Sequence, residues 1–272
     1  MKWDFLKGVK DKFLDALFIE HEKCIDCGRD LSKKNVYDLC DECLELVPFN
    51  NARTCKRCGK NVVGQADYCF HCKTAPREFD GGRAPFLYEG AIKKAIMNFK
   101  YNNAQYLSRT FGKILAREFV LSPFEIDIVI PVPLFENRKR KRGYNQSELL
   151  GFEFCKELGF DLNIDAFIRI KDTEKQTGKG KREREENVSK AFKVQNKKAI
   201  KGKNILLIDD VITTCATMDE CARTLKASGA NKVYALAIAH TKTVIPSERS
   251  TAIVKNAKLL SKTTKMMYNK SK

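Results

Sequence analysis

The chain has 272 residues, 43% of them hydrophobic, and a formal charge of +17 at pH 7. That length suits one α/β domain of ordinary size with a small module beside it. No apolar run is long enough to span a bilayer as a helix. The positive excess is more than solubility needs, and it points to polyanionic partners, either phosphorylated substrates or nucleic acid.

Residues 1–20 mix charge throughout and lack the apolar core of a signal peptide, so a cytoplasmic protein is expected. In that compartment the eleven cysteines are expected as thiols or metal ligands, not disulfides. Residues 3–18 have the period of an amphipathic helix, with Trp3, Leu6, Val9, Phe13 and Leu17 on one side. Its simplest role is packing against the rest of the chain; a peripheral membrane or partner contact is the alternative.

Residues 21–76 read as a double zinc-ribbon module. Four CxxC knuckles follow one another, Cys24/Cys27, Cys40/Cys43, Cys55/Cys58 and Cys69/Cys72, with 12 residues between the first two and 10 between the last two. Two residues between cysteines let both sulfurs reach one tetrahedral ion, and the wider spacings are those of zinc ribbons. Gly28 and Gly59 each follow a knuckle, so the blocks 24–43 and 55–72 read as an internal duplication with one Zn²⁺ apiece. A cross-braced pairing of the knuckles fits the spacing too. His21 and His71 are not needed as ligands, since eight thiolates satisfy two ions. Four-thiolate sites leave no open position, so the zinc is structural.

Residues 74–83 are expected as a linker, and an α/β domain over 84–241 follows. Ala84–Tyr88 reads as a strand, with helices over Ala91–Phe99 and Ala104–Leu121. Leu107, Phe111, Leu115 and Phe119 lie at helical spacing in the second helix. A buried strand over Asp127–Ile130 ends in Pro131-Val132-Pro133. Five basic residues come next, and Arg138–Lys141 are expected as a solvated loop. Arg142 differs, because it abuts a Gly143-containing turn that opens a helix at Gln146–Leu158. Cation and free amides there suit a diphosphate. Residues 167–193 contain glycines flanked by lysines and arginines, the composition of a lid that closes over a charged leaving group; a solvated charged loop is the alternative.

The chain is organised around Asn204–Thr217. Ile205–Ile208 reads as a strand buried on both faces, stopped by Asp209 and Asp210. Thr213, Thr214 and Thr217 follow, and a helix begins near Thr217-Met218. Unpaired N–H groups at a helix start favour phosphate, and the acids beside it suit sugar hydroxyls, directly or through a metal. Cys215 at a helix start is expected to be an acidified, reactive thiol. Met218–Ser228 forms the helix, Gly229 its end, and Lys232–Ala239 another buried strand. His240 ends that strand, where a structural role is expected. From residue 242 the chain is a basic tail, either solubilising or in contact with nucleic acid.

Asn204–Thr217 resembles the 5-phosphoribosyl-1-diphosphate (PRPP) motif of type I phosphoribosyltransferases, a hydrophobic strand followed by DD-x-x-T-T-G-x-T, with Cys215 where that family has glycine. The ribbons, PVPL, RGYNQSELL, Arg169/Thr173/Gln176 and Arg184/Asn187/Val188/Ala191/Phe192 narrow the resemblance to the ComF family over residues 20–240. It implies an α/β fold: a type I phosphoribosyltransferase-like parallel sheet flanked by helices, behind the zinc module. It further implies Mg²⁺–PRPP bound over Asp209 and Asp210 as the catalytic acids, and over Val211, Thr213, Thr214, Cys215, Ala216 and Thr217. Arg142 and Asn145 then lie at a diphosphate loop, and Gln176, Arg184 and Asn187 at the lid. The implied role is in DNA uptake and transformation, with single-stranded DNA and uptake or recombination proteins as partners.

As an enzyme, the protein would displace diphosphate from ribose C1 with a nitrogen nucleophile that the sequence does not identify. The alternatives are a non-catalytic adaptor that binds nucleotides or single-stranded DNA, and a PRPP-sensing regulator. Catalysis requires a turn free of the Cys215 side chain; a plugged turn, with both acids held elsewhere, would leave only a metal-stapled cationic scaffold.

Overall fold

The computed structural model describes residues 23–31, 37–50, 53–62, 64–172 and 189–242. The helix expected over 3–18, His21, the tail from 243 and the segment 173–188, which holds Gln176, Arg184 and Asn187, lie outside the described residues.

Two apolar runs, each long enough to be buried on both faces, make the centre of a parallel sheet. They are β6 (Asn204–Ile212) and β7 (Lys232–His240), paired in register from Asn204 with Lys232 to Ile212 with His240. On the far side of β6 lies β3 (Ile128–Pro131). On the far side of β7 lie two short strands, β1 (Gly81–Arg83) and β2 (Phe86–Leu87). All pairings in this sheet are parallel, so apart from the short step from β1 to β2, which share one edge of β7, each connection crosses over a face. The crossovers supply α3 (Gly90–Tyr101), α4 (Leu107–Leu121), α5 (Glu136–Arg142), α6 (Gln146–Leu158) and α7 (Ala216–Ala227). A separate antiparallel pair, β4 (Phe167–Arg169) with β5 (Phe192–Val194), joins the two ends of the segment expected as a lid. Among the described residues no helix is long and apolar enough to cross a membrane.

Alternation along β6 divides the interior. Leu206 and Ile208 enter one apolar cluster with α3, α4 and α6; Ile205 and Leu207 enter the other with α7 and the β4–β5 pair. Each half of the ribbon module joins one of these clusters. Cys24, Leu39, Cys43 and Val47 belong to the first, and Cys55, Cys58, Val62 and Cys69 to the second. The duplication in sequence is therefore matched to the two faces of one sheet.

The two halves repeat in detail. Cys24 N–H donates to Arg29 O at 2.7 Å and Cys55 N–H to Lys60 O at 2.8 Å; Gly28 and Gly59 each donate back to the first knuckle cysteine at 2.9 Å. Each half ends in a one-turn helix, α1 (Asp41–Glu45) and α2 (Phe70–Thr74), preceded by an extended cysteine.

Two expectations need correcting. The strand does not stop at Asp209 and Asp210; it runs through both to Ile212, because β7 continues to pair with it as far as His240. Residues 74–83 are no free linker either. Phe79 is fully buried, Arg77 is clamped on Asp219, and Gly81–Arg83 forms β1. The ribbon module is thereby sewn to the sheet: Phe49 bridges Phe86, and Asn50 Nδ2 donates to both Gly59 O and Ala84 O.

Gly59 marks the tightest approach. A Cβ there would lie 2.5 Å from Gly82 O, a backbone atom of β1, whereas a Cβ on Gly28 would meet nothing within 4 Å. Both glycines have left-handed φ, +72° and +75°, so alanine at either costs about 1 kcal/mol in backbone strain. Gly59→Ala must also push the second ribbon off β1. Its melting temperature should fall well beyond the roughly 2–4 °C that such strain alone produces in a domain of this size. Gly28→Ala should stay within that range, and equal losses in thermal denaturation would overturn the docking described here.

Candidate active site and metal centres

Because β6 is buried on both faces and ends beside a helix, polar groups from strand, turn and helix converge at its carboxyl end. Asp209 and Asp210 lie in the last rungs of the ladder before β6 ends at Ile212, Thr213 is exposed, and Thr214 and Thr217 are half-buried around the start of α7. Cys215 has φ 69° and ψ −2°, the left-handed backbone that a glycine takes without strain. The turn thus keeps a glycine geometry around a cysteine side chain. That side chain does not fill it: the Cys215 sulfur lies within 4.8 Å of Cys58 Sγ and a ring nitrogen of His240, and the residue is only 4% exposed. The thiol is held below its usual range, in the expected direction, chiefly by its hydrogen bond with Cys58, while its burial corrects the expectation of reactivity.

Both acids have protein partners. Lys100 Nζ, from the last turn of α3, sits 2.6 Å from Asp210 Oδ1, with both side chains about one-tenth exposed (11% and 10%). Burial pulls the Lys100 ammonium down, but the Asp210 carboxylate more than offsets this, and the net direction is up. Ser147 Oγ donates to Asp209 Oδ1 at 2.9 Å, as does the Asp210 N–H. Burial, reinforced by the charge of Asp210, pushes the Asp209 carboxyl up to about 6. Of the two conditions that would remove catalysis, the plugged turn is not met, while both carboxylates are held.

Arg138–Lys141 form no loop; with Arg142 they make the helix α5, in which Lys139 pairs with Glu148 and Arg138 with Asp172. Gly143, left-handed at φ 86°, ends it, and Asn145 opens α6 as its N-cap. Asn145 Oδ1 accepts from Ser147 N–H while Nδ2 donates to Val132 O, so the amide is spent on holding the turn. Arg142 reaches Gln146 Oε1 and lies 5.1 Å above the Tyr101 ring. Lys100, Tyr101, Asn103, Arg138, Lys141, Arg142 and Tyr144 line a cleft of about 420 Å³. Lys100 belongs both to this cationic cleft and to the acid pair, and so joins the two. Nothing in the sequence singles it out: it sits amid an ordinary amphipathic helix, 110 positions from the carboxylate it meets.

The eight knuckle cysteines assemble as Cys24/Cys27/Cys40/Cys43 and Cys55/Cys58/Cys69/Cys72, which selects sequential over cross-braced pairing. Cys27 and Cys40 sulfurs are 3.7 Å apart, and those of Cys58 and Cys69 are 3.8 Å apart. A tetrahedral ion with bonds of about 2.3 Å to sulfur has edges of about 3.8 Å, so the donor sets fit zinc. His71 is exposed and belongs to neither set. Cys155 and Cys221 are buried in the apolar interior.

Family comparisons agree with both parts. A family described as a double zinc ribbon domain matches residues 13–73, and one described as a phosphoribosyl transferase domain matches residues 105–251, more than half of the chain. The chain belongs to the phosphoribosyl transferase domain family. Over 225 residues it is 26% identical to competence protein F of Haemophilus influenzae, covering 80% of this chain and 96% of that protein. It is 28% identical over 197 residues to competence protein ComFC of Bacillus subtilis, covering 70% and 79% of the two. To the DNA utilization protein YhgH of Salmonella typhimurium it is 23% identical over 210 residues, covering 75% and 91%. Similar solved structures include an allosteric regulatory enzyme of purine biosynthesis, with TM-score 0.36 and 19% identity over 52% of this chain and 29% of that one. Another is the adenine phosphoribosyltransferase of Leishmania tarentolae, with TM-score 0.32 and 18% identity over 50% of this chain and 57% of that one.

The raised Asp209 pKa carries a sign. In the unfolded chain an aspartate ionises near pH 4, whereas in the folded phosphoribosyltransferase domain Asp209 holds its proton to about pH 6. The stability it contributes is present below pH 4 and is lost as pH rises to 6. Asp209→Asn cannot ionise, so relative to wild type it should gain stability between pH 4 and pH 6.5. Urea titrations at the two ends of that window check this; a constant difference between the two proteins would contradict the raised value.

Proposed function

We propose that the phosphoribosyltransferase domain binds Mg²⁺–PRPP and transfers its phosphoribosyl group to a nitrogen nucleophile. The observation that carries this reading is the conjunction of a carboxylate pair at the end of β6 with a left-handed turn and a twelve-residue helix start directly after it. The 5-phosphate would rest on the N–H groups of the turn and on Thr213, Thr214 and Thr217. The ribose hydroxyls would take Asp209 and Asp210, and the diphosphate would extend over the cationic cleft toward Lys100 and Arg142. Mg²⁺, when bound with PRPP, supplies charge neutralisation for the leaving diphosphate.

In the reaction the C1–N bond forms as the C1–O bond breaks, and diphosphate leaves with the bonding electron pair. The two carboxylates stabilise the positive charge that develops on the sugar. Lys100 changes role in this scheme. In the free site it neutralises Asp210; with ligand bound it would turn to the diphosphate, releasing the carboxylate to the ribose. Gln176, Arg184 and Asn187 are assigned to the lid that excludes water.

A second reading is a nucleotide- or single-stranded-DNA-binding adaptor, in which the ribbon module recruits proteins of DNA uptake or recombination in the cytoplasm. The Lys100–Asp210 pair favours it, because a closed acid site beside a cationic cleft with exposed Tyr101 suits a polyanion with bases to stack. The names of the relatives, competence and DNA utilization proteins, agree with a role of either kind in handling incoming DNA.

Calorimetry with Mg²⁺–PRPP separates the two readings. Wild type should bind PRPP. Asp210→Asn should bind at least tenfold more weakly, and Lys100→Met should weaken binding mainly through the diphosphate, so that ribose 5-phosphate affinity changes less. Diphosphate release should then appear with at least one member of a panel of bases and amines. Absence of heat with PRPP, together with tight, salt-sensitive binding of single-stranded DNA, would replace the enzyme by the adaptor.

A further inference from the structure

The second ribbon has a neighbour that its own chemistry does not account for. Cys58, Cys215 and His240 come from a ribbon knuckle, the turn after β6 and the end of β7, yet their sulfur and ring-nitrogen atoms lie within 4.8 Å of one another. All three are buried, with exposures of 1%, 4% and 0%. His240 Nδ1 lies 3.2 Å from Thr241 O, a partner that accepts and so fixes the proton on Nδ1. The other nitrogen, Nε2, is buried and has no hydrogen-bond partner. A buried imidazole with one nitrogen anchored on a backbone carbonyl, no nitrogen or oxygen donor on the other, and two sulfurs beside the ring is the arrangement of a metal-ligating histidine. Without a metal, only the weak thiol donors of Cys58 and Cys215 are at hand to satisfy that buried imidazole.

The backbone points the same way. Cys215 holds a left-handed φ of 69°, a position where a residue with a Cβ is strained and where the resembling motif has glycine. A strained cysteine is retained more readily if its sulfur makes a bond that glycine cannot. The surroundings are electrically suited to a further cation. A zinc ion with four thiolates carries two negative charges, and the buried Arg77, already paired with Asp219 at 2.8 Å, offsets only part of them.

We propose that Cys58, Cys215 and His240 bind a third thiophilic divalent ion, zinc by its donor chemistry, with the Cys58 thiolate bridging it to the ion of the second ribbon. Binding releases the thiol proton of Cys215 and leaves Nε2 neutral, so no redox partner is needed. Three protein ligands leave one coordination position open. The ion ties the turn between β6 and α7 to the ribbon, so the knuckle and the turn move together. This inference does not depend on PRPP binding.

Metal content decides it. Full-length protein, purified anaerobically with zinc and desalted, should contain three zinc ions per chain by elemental analysis and native mass spectrometry. Cys215→Gly, which suits the left-handed backbone, and His240→Gln should each contain two, and Cys24→Ser, lacking the first site, should also contain two. Replacing zinc by Co²⁺ should give a spin-coupled pair in wild type, seen as Co²⁺ missing from the magnetic resonance integral, and uncoupled ions in Cys215→Gly. Two zinc ions in wild type, or three in both wild type and Cys215→Gly, would overturn the proposal. So would two ions accompanied by a Cys58–Cys215 disulfide, which would make the pair an oxidation site.

Discussion

Parallel pairing of β6 between β3 and β7 is the constraint from which the rest follows. A strand hydrogen-bonded on both edges and covered on both faces can offer polar groups only at its ends. Parallel neighbours bring three carboxyl ends together, so the acids of β6, the turn into α7 and the cap of α6 are delivered to one rim. Crossover helices then set what surrounds that rim: α3 brings Lys100, α5 brings Arg142, and α6 brings Ser147. Parallel pairing on the other edge of β7 holds the first residues after the ribbon as β1 and β2, and the metal module shares both apolar clusters with the α/β part.

What could be read from sequence was what repeats or alternates. The CxxC knuckles fixed the ribbon and its duplication, because two-residue spacing has few other physical uses. The apolar runs at Ile205–Ile208 and Lys232–Ala239 located the central strands. Asn145 and Gly143 marked the turn into α6. The strand's continuation through Asp209 and Asp210 was hidden, since an acidic pair ends a hydrophobic run without ending the hydrogen-bonded ladder.

Contacts between distant segments left no trace. Lys100 reaches Asp210 only because α3 packs beside the sheet at one angle, and the lysine looks like any other on an amphipathic helix. The basic run 138–141 looked solvated, yet Glu148 and Asp172 supply partners that order it. Cys215 was the most misleading residue. Its place in the motif suggested a side chain in the ligand turn, but the left-handed backbone and the proximity of Cys58 and His240 carry the sulfur inward. Only spatial neighbours could have revealed that.

The short strand Gly81–Arg83 has a bearing on how this protein can be divided. It belongs by sequence to the approach from the ribbon, but its hydrogen bonds go to Tyr234–Leu236 on β7. A fragment begun at residue 84 would keep the rim, its acids and β2, yet bare the margin of β7 at Tyr234–Leu236, open to the margin of any other molecule. Self-association of such a fragment would then reflect the cut and carry no information about how the intact chain assembles.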